Sequence, residues 1–180
     1  TTLGGGLTPN YGPLILTWGD TQHKKELADD DGQVVVATQV TDLGNGQWHY
    51  EYALYNWISW RGMSSLSVPV AGAVLANVDF RDIDKDAGND WTVTNDGQTL
   101  TWATDDWATD PDANAIRFQE LFNFRFDADR PPTTGSAAIG IFEPGVGTQL
   151  FLDLAVPQGA TDVLGGATEY ADFELSANEP

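Results

Sequence analysis

Aspartates recur at alternate positions in the run Asp82-Ile83-Asp84-Lys85-Asp86-Ala87-Gly88-Asn89-Asp90. Carboxylates spaced this way, followed by a glycine, are how a loop wraps oxygen ligands around calcium. The run departs from the EF-hand pattern in two places. Gly88 falls at loop position seven where position six is required, and Val93 stands where the bidentate glutamate belongs. The reading is a loop in which Asp82, Asp84, Asp86 and Asp90 would hold calcium, the one cofactor the sequence suggests. The plainer alternative is a solvated acidic connection between strands.

A second group of acids, Asp105, Asp106, Asp110 and Asp112, lies among Trp102 and Trp107. Carboxylates beside aromatic rings serve sugar recognition, and two carboxyls at a set separation serve glycoside hydrolysis. A chain with 27 acidic residues brings some acid near some ring by chance, so exposed loop charge is the simpler reading. The strip Tyr55-Asn56-Trp57, with Trp60 beyond it, offers a stacking platform or an interface. If Trp48 points inward, Tyr55 and Trp57 point outward unless a second layer covers them.

Other chemistries find no support. The two histidines, His23 and His49, sit in a charged segment and in a strand beside Glu51, and no Gly-x-Ser-x-Gly elbow accompanies them. Gly4-Gly5-Gly6 follows no strand, so no nucleotide-binding glycine pattern is present. The absence of cysteine removes disulfides, thiolate metal sites and Cys nucleophiles together. A net charge of −19 repels phosphate backbones, which argues against nucleic acid and anionic membranes as partners. No apolar run approaches the length that spans a bilayer, so membrane insertion is not expected.

The elements that would position these residues are strands. Val34 to Val40 is β-branched, and Trp48, Tyr50, Tyr52 and Leu54 alternate with His49, Glu51, Ala53 and Tyr55. Phe122, Phe124 and Phe126 alternate with Asn123, Arg125 and Asp127, and Leu66, Val68 and Val70 with Ser65, Ser67 and Pro69. Asp31-Gly32, Asn45-Gly46 and Asp96-Gly97 supply the positive φ of tight hairpins. A further pair, Ala137–Phe142 and Leu150–Val156, flanks Pro144-Gly145-Val146-Gly147. About ten strands separated by turns predict an all-β, single-domain, two-layer β-sandwich, immunoglobulin-like or jelly-roll-like. The seven inward residues Trp48, Tyr50, Tyr52, Leu54, Phe122, Phe124 and Phe126 form its expected core. Asp110 to Ile116, after the Pro111 start signal, is the best helix candidate. Residues 1–13 read as an extended N-terminal arm and 14–180 as the domain, with Leu14 to Trp18 as a first strand.

Two segments carry a resemblance. They are YEYALYNW…SSLSVPV…NVDFRDID, from Tyr50 to Asp84, and DWTVTNDGQTLTWAT…DANAIRFQELFNFRFDADRPP, from Asp90 to Pro132. Together they resemble a group of uncharacterised secreted bacterial β-sandwich domains, often found on exported proteins with C-terminal sorting tails. The resemblance covers about half the chain and implies an exported, extracellular β domain with no assigned activity. The start at Thr1 without methionine fits a mature product whose signal peptide has gone. The residues Ser176-Ala177-Asn178-Glu179-Pro180 carry no apolar run, so a membrane-sorting end is expected to be absent or already removed. The functional expectation is a non-enzymatic structural subunit of an extracellular homopolymeric filament or surface layer. Its partners would be other copies of itself, joined by strand addition through Leu3, Leu7, Tyr11, Leu14 and Leu16. The alternative is a carbohydrate-binding module, calcium-supported or not, that stacks glycan on Tyr55, Trp57, Trp60, Trp102 and Trp107. A glycoside hydrolase or lyase stands third.

Overall fold

The structure, a computed structural model, describes residues 13–28, 31–84 and 86–160. It is a two-layer antiparallel β-sandwich. The strands are β1 (Thr21–Glu26), β2 (Gln33–Gly44), β3 (Gln47–Asn56), β4 (Met63–Pro69), β5 (Leu75–Arg81), β6 (Thr92–Asn95), β7 (Thr99–Ala103), β8 (Leu121–Ala128), β9 (Pro132–Ile141) and β10 (Gln149–Pro157). One sheet has the order β1-β2-β3-β8-β5 and the other β10-β9-β4-β7-β6. Every neighbouring pair is antiparallel. Connections from an odd strand to the next even strand therefore gather at one end, and even-to-odd connections at the other.

Period-two patterning builds the core between the layers. Tyr50 faces Phe126, Tyr52 faces Phe124 and Leu54 faces Phe122 across the β3–β8 ladder, and all six side chains are buried. Trp48 is half-buried against the same cluster, so the expected register stands. Leu66, Val68 and Val70 approach from the opposite sheet. Phe124 sits among Phe80, Trp91 and Trp102, with ring centroids 5.4–5.5 Å away. The buried Tyr50 and Tyr52 hydroxyls are not stranded: they donate to the carbonyls of Arg130 at 2.9 Å and Ala155 at 2.7 Å. Asn45 and Gly46 carry φ of 55° and 76° in the β2–β3 hairpin, the conformation its Asn-Gly pair was expected to supply.

Two local expectations are corrected. Leu14–Thr17 is a 3-10 turn, not a strand. Pro13 sets its entry, and Thr17 Oγ1 closes it by donating to the Leu14 carbonyl at 2.8 Å. Asp110 to Ile116 is a chain of turns, not a helix. There the Asp110 carboxylate accepts the Asp112 amide at 2.9 Å, and the Asn114 carbonyl accepts the Trp91 indole N–H at 2.5 Å. Short polar side chains that bond nearby backbone compete with the helix.

Candidate contact surfaces

The odd-to-even end of the sandwich carries loops 27–32, 57–62, 82–91, 104–120 and 142–148, so it holds nearly every chemistry-bearing residue singled out above. Its framework is a buried polar network. The Asn56 side-chain amide donates to the carbonyls of Ser59 at 3.0 Å and Ile116 at 3.2 Å, and its oxygen accepts the Ser59 amide at 2.8 Å. Arg61, 8% exposed, donates to the carbonyls of Glu143 at 2.9 Å, Val146 at 2.8 Å and Gly147 at 2.7 Å, and its Nε lies 3.4 Å from Asp31 Oδ2. A planar guanidinium spreads five donors over a rigid fork, which lets one side chain reach these separate carbonyls and Asp31 together. Gly32 and Gly145 permit the close approach. A Cβ at Gly32 would fall 2.2 Å from the Ile58 carbonyl oxygen, and one at Gly145 would fall 2.7 Å from the Arg61 guanidinium.

This network holds out two rings. Trp60 is 76% exposed and stacks on Phe118, itself 45% exposed, at a centroid distance of 5.5 Å and an interplanar angle of 6°. Behind them Arg117 lies over the Phe142 ring at 4.5 Å, with Trp107, half-buried, edge-on to the same ring at 5.4 Å. The sequence strip pointed to Trp60. It could not point to Phe118, which sits 58 positions later and meets Trp60 only because Met63 bridges Ile116.

The remaining aromatic candidates divide. Trp102 is a correction: it is fully buried, edge-on to Phe124 at 5.5 Å, and belongs to the core, so it stacks no ligand. Its even position in β7 shares the inward face with Leu100. Tyr55 and Trp57 do point away from the core, but a second layer covers them. They pack with Leu16, Trp18 and the buried Ile15 over Val35, Ala37 and Ala53, and Lys24 Nζ sits 4.6 Å over the Trp57 ring. Leu16 is thus directed onto its own domain, whereas Leu14 is 81% exposed. Leu3, Leu7 and Tyr11 lie outside the described residues.

In the acidic loop, Asp82 accepts from Asn114 Nδ2 at 2.8 Å, which pins the loop to the β7–β8 connection. Asp84 accepts the Asp86 amide at 2.7 Å and Asn89 Nδ2 at 3.2 Å, and Asp86 accepts the Gly88 amide at 2.9 Å. The Asp86 amide and then the Asn89 side chain hold the Asp84 carboxyl below the usual range. Asp90 is exposed. Among the described residues, no three His, Asp or Glu side chains are grouped closely enough to hold a metal ion.

On the outer face of β3, β8 and β5, His49 Nδ1 lies 2.6 Å from Asp127 Oδ1, closer than the 4.0 Å to its strand neighbour Glu51. Asn77, in a left-handed conformation at a β5 bulge, donates to the other Asp127 oxygen. Burial pushes the Asp127 carboxyl up, but the bonds from Asn77 and His49 outweigh it and leave the group below the usual range.

The lateral edges form the second surface. β1 and β10 are the edge strands on one side, and a cleft of about 550 Å3 runs between them, lined by Thr21, His23, Pro132, Thr133, Thr134, Asp153, Leu154 and Ala155. No helix of the described residues is long and apolar enough to cross a membrane.

No protein-family profile matches this sequence, and no curated protein is similar to it. Two solved structures of a GH20 exo-β-N-acetylglucosaminidase from Vibrio harveyi, one with N-acetylglucosamine and one an inactive mutant, are weakly similar to this chain. Each is 12% identical with a TM-score of 0.40, over 78% of this chain and only 20% of the enzyme.

Proposed function

We infer that this chain is a non-catalytic, extracellular structural module that joins copies of itself by strand addition along β10. The observation that carries the reading is a contrast among the four sheet edges. Exposed edges are templates for pairing, and proteins normally blunt them with short strands, bulges, lysines or inward charges. β6 is four residues long. β5 is broken by a bulge between Ala76 and Asp79 and carries Asp79 and Arg81. β1 carries Lys24, and its Lys25 is turned inward and buried. β10 has none of these four devices, and its one proline, Pro157, is its last residue. It is nine residues long, pairs with β9 without a register break and has a single charge, Asp153. The cleft beside its Asp153–Ala155 stretch gives an incoming extended segment room at that end.

The free side of β10 can be identified. The Ala155 carbonyl is turned away from β9 onto the Tyr52 hydroxyl. With unbroken register, the amides of Phe151 and Asp153 share that orientation. Backbone bonds to these groups would supply direction, and Phe151 would supply a side-chain contact.

The test is sedimentation and electron microscopy of the full chain, the Asp153→Pro variant and a variant lacking residues 1–12. Proline at an outward-facing amide removes the edge donor and leaves the β9 ladder in place. We expect the full chain to polymerise and Asp153→Pro to stay monomeric and folded. Loss of assembly on removing residues 1–12 would identify the arm as the incoming strand. A full chain that is monomeric at high concentration, or an Asp153→Pro variant that assembles normally, would sink the reading.

A further inference from the structure

We propose that the Trp60–Phe118 pair is a docking platform for an arginine-bearing basic segment of a protein partner. The rings are the site, and charge selects the occupant. A tryptophan that is 76% exposed leaves a large apolar face in water, and nothing in the sandwich core depends on it. It is nevertheless held in place. Trp60 lies between Ser59, buried and bonded to Asn56, and Arg61, bonded to three carbonyls of the 142–148 loop. Phe118 follows Arg117, whose amide donates to Glu120 at 2.7 Å and whose guanidinium bonds the Pro111 carbonyl at 2.9 Å. A rigid, solvent-facing aromatic pair has already lost the motion that a ligand would otherwise have to freeze.

Two features favour a cation over other occupants, and a third favours a guanidinium among cations. The protein already uses its rings this way: Lys24 lies over Trp57 at 4.6 Å and Arg117 over Phe142 at 4.5 Å. Among the described residues Trp60 is the most exposed aromatic ring, with Phe118 on one face and no cation on the other. The field at this end is negative. Asp84, Asp86, Asp105, Asp106 and Asp110 are exposed there, while Arg61 and Arg117 are both committed to internal bonds. The geometry is planar, since the two rings lie within 6° of parallel, and a guanidinium extends such a stack where an ammonium does not.

The experiment uses the full chain and a fluorescein-labelled octa-arginine peptide at about 0.15 M salt, where the screening length is ~8 Å and contact pairs outlast long-range attraction. Fluorescence anisotropy reads the affinity of wild type, Trp60→Ala, Phe118→Ala and a control, Val74→Ala, an exposed apolar residue in the β4–β5 connection at the opposite end. Octalysine and a neutral β-linked hexasaccharide serve as competitors. We expect Trp60→Ala to weaken octa-arginine binding about fivefold or more, the worth of one cation–π contact. Phe118→Ala should weaken it in the same sense, Val74→Ala should leave it unchanged, and octa-arginine should bind more tightly than octalysine. Equal affinity of wild type and Trp60→Ala would mean diffuse acidic attraction alone and overturn the proposal. So would competition by the neutral hexasaccharide that depends on Trp60, which would assign the platform to glycan, and so would the absence of any peptide binding.

Discussion

Replacing Arg61 by methionine keeps much of its aliphatic volume and removes its guanidinium. The structure gives that group three bonds to carbonyls, at 2.7–2.9 Å, and an approach of 3.4 Å to Asp31. Hydrogen bonds to a charged group are worth roughly 1.5–3 kcal/mol each, but bonds made by one side chain do not add. Removing one partner of a buried ion pair costs about 3–5 kcal/mol, chiefly because its counterparts are left unpaired. We take about 3–5 kcal/mol as the loss, a large share of the roughly 5–15 kcal/mol by which a domain is stable. With a urea slope of about 2 kcal/mol per molar, the midpoint should fall by about 2 M at unchanged slope. Arg61→Lys keeps the charge without the fork and should recover less than half of the loss. Circular dichroism and Trp emission followed through urea unfolding read both variants. A midpoint for Arg61→Met within about 0.5 M of wild type would refute the view that this residue ties the loop end together.

Three further outcomes follow from the same geometry. Gly32→Ala places a Cβ 2.2 Å from a backbone oxygen at φ +105° and should cost more than about 3 kcal/mol, whereas Gly46→Ala, with open space around it, should cost only the roughly 1–2 kcal/mol of left-handed backbone; thermal melts of the pair compare them. Phe124→Ala empties a fully buried site among three rings and should cost about 3–5 kcal/mol in the urea assay. The folded Asp127 carboxyl binds its proton less readily than the unfolded one, so its stabilisation is present above the ordinary carboxylate pKa of about 3.9 and is lost as pH falls through and below it. Asp127→Asn should therefore flatten the acid limb of a stability–pH curve, and an unchanged limb would count against the His49–Asp127–Asn77 assignment.

The layers of this fold are legible in the sequence because period two survives wherever one face is buried and the other is wet. Tyr50, Tyr52 and Leu54 against Phe126, Phe124 and Phe122 is the case in point, and the Asn45-Gly46 turn is another. Alternation could not say which strands form edges, so β10, apolar and regular, reads like any inner strand until its neighbours are known. It also could not separate a strand from a short 3-10 turn at Leu14–Thr17, where four residues give no period. Trp102 was misread for a related reason: flanking acids at 105 and 106 suggested a surface, but its parity in β7 turns it inward. The Trp60–Phe118 pair and the reach of Arg61 to Val146 and Gly147 are contacts between distant loops, which no local pattern encodes.

The claim that β10 is an assembly edge is tested most directly by amide hydrogen exchange at Phe151 and Asp153 as protein concentration is raised. These amides face away from β9, whereas those of Leu152 and Leu154 face it. Strand addition predicts that Phe151 and Asp153 exchange fast in dilute solution and become protected as copies associate, while Leu152 and Leu154 are protected throughout. Exchange at Phe151 and Asp153 that does not change with concentration, while the protein assembles, would place the contact elsewhere and contradict the account.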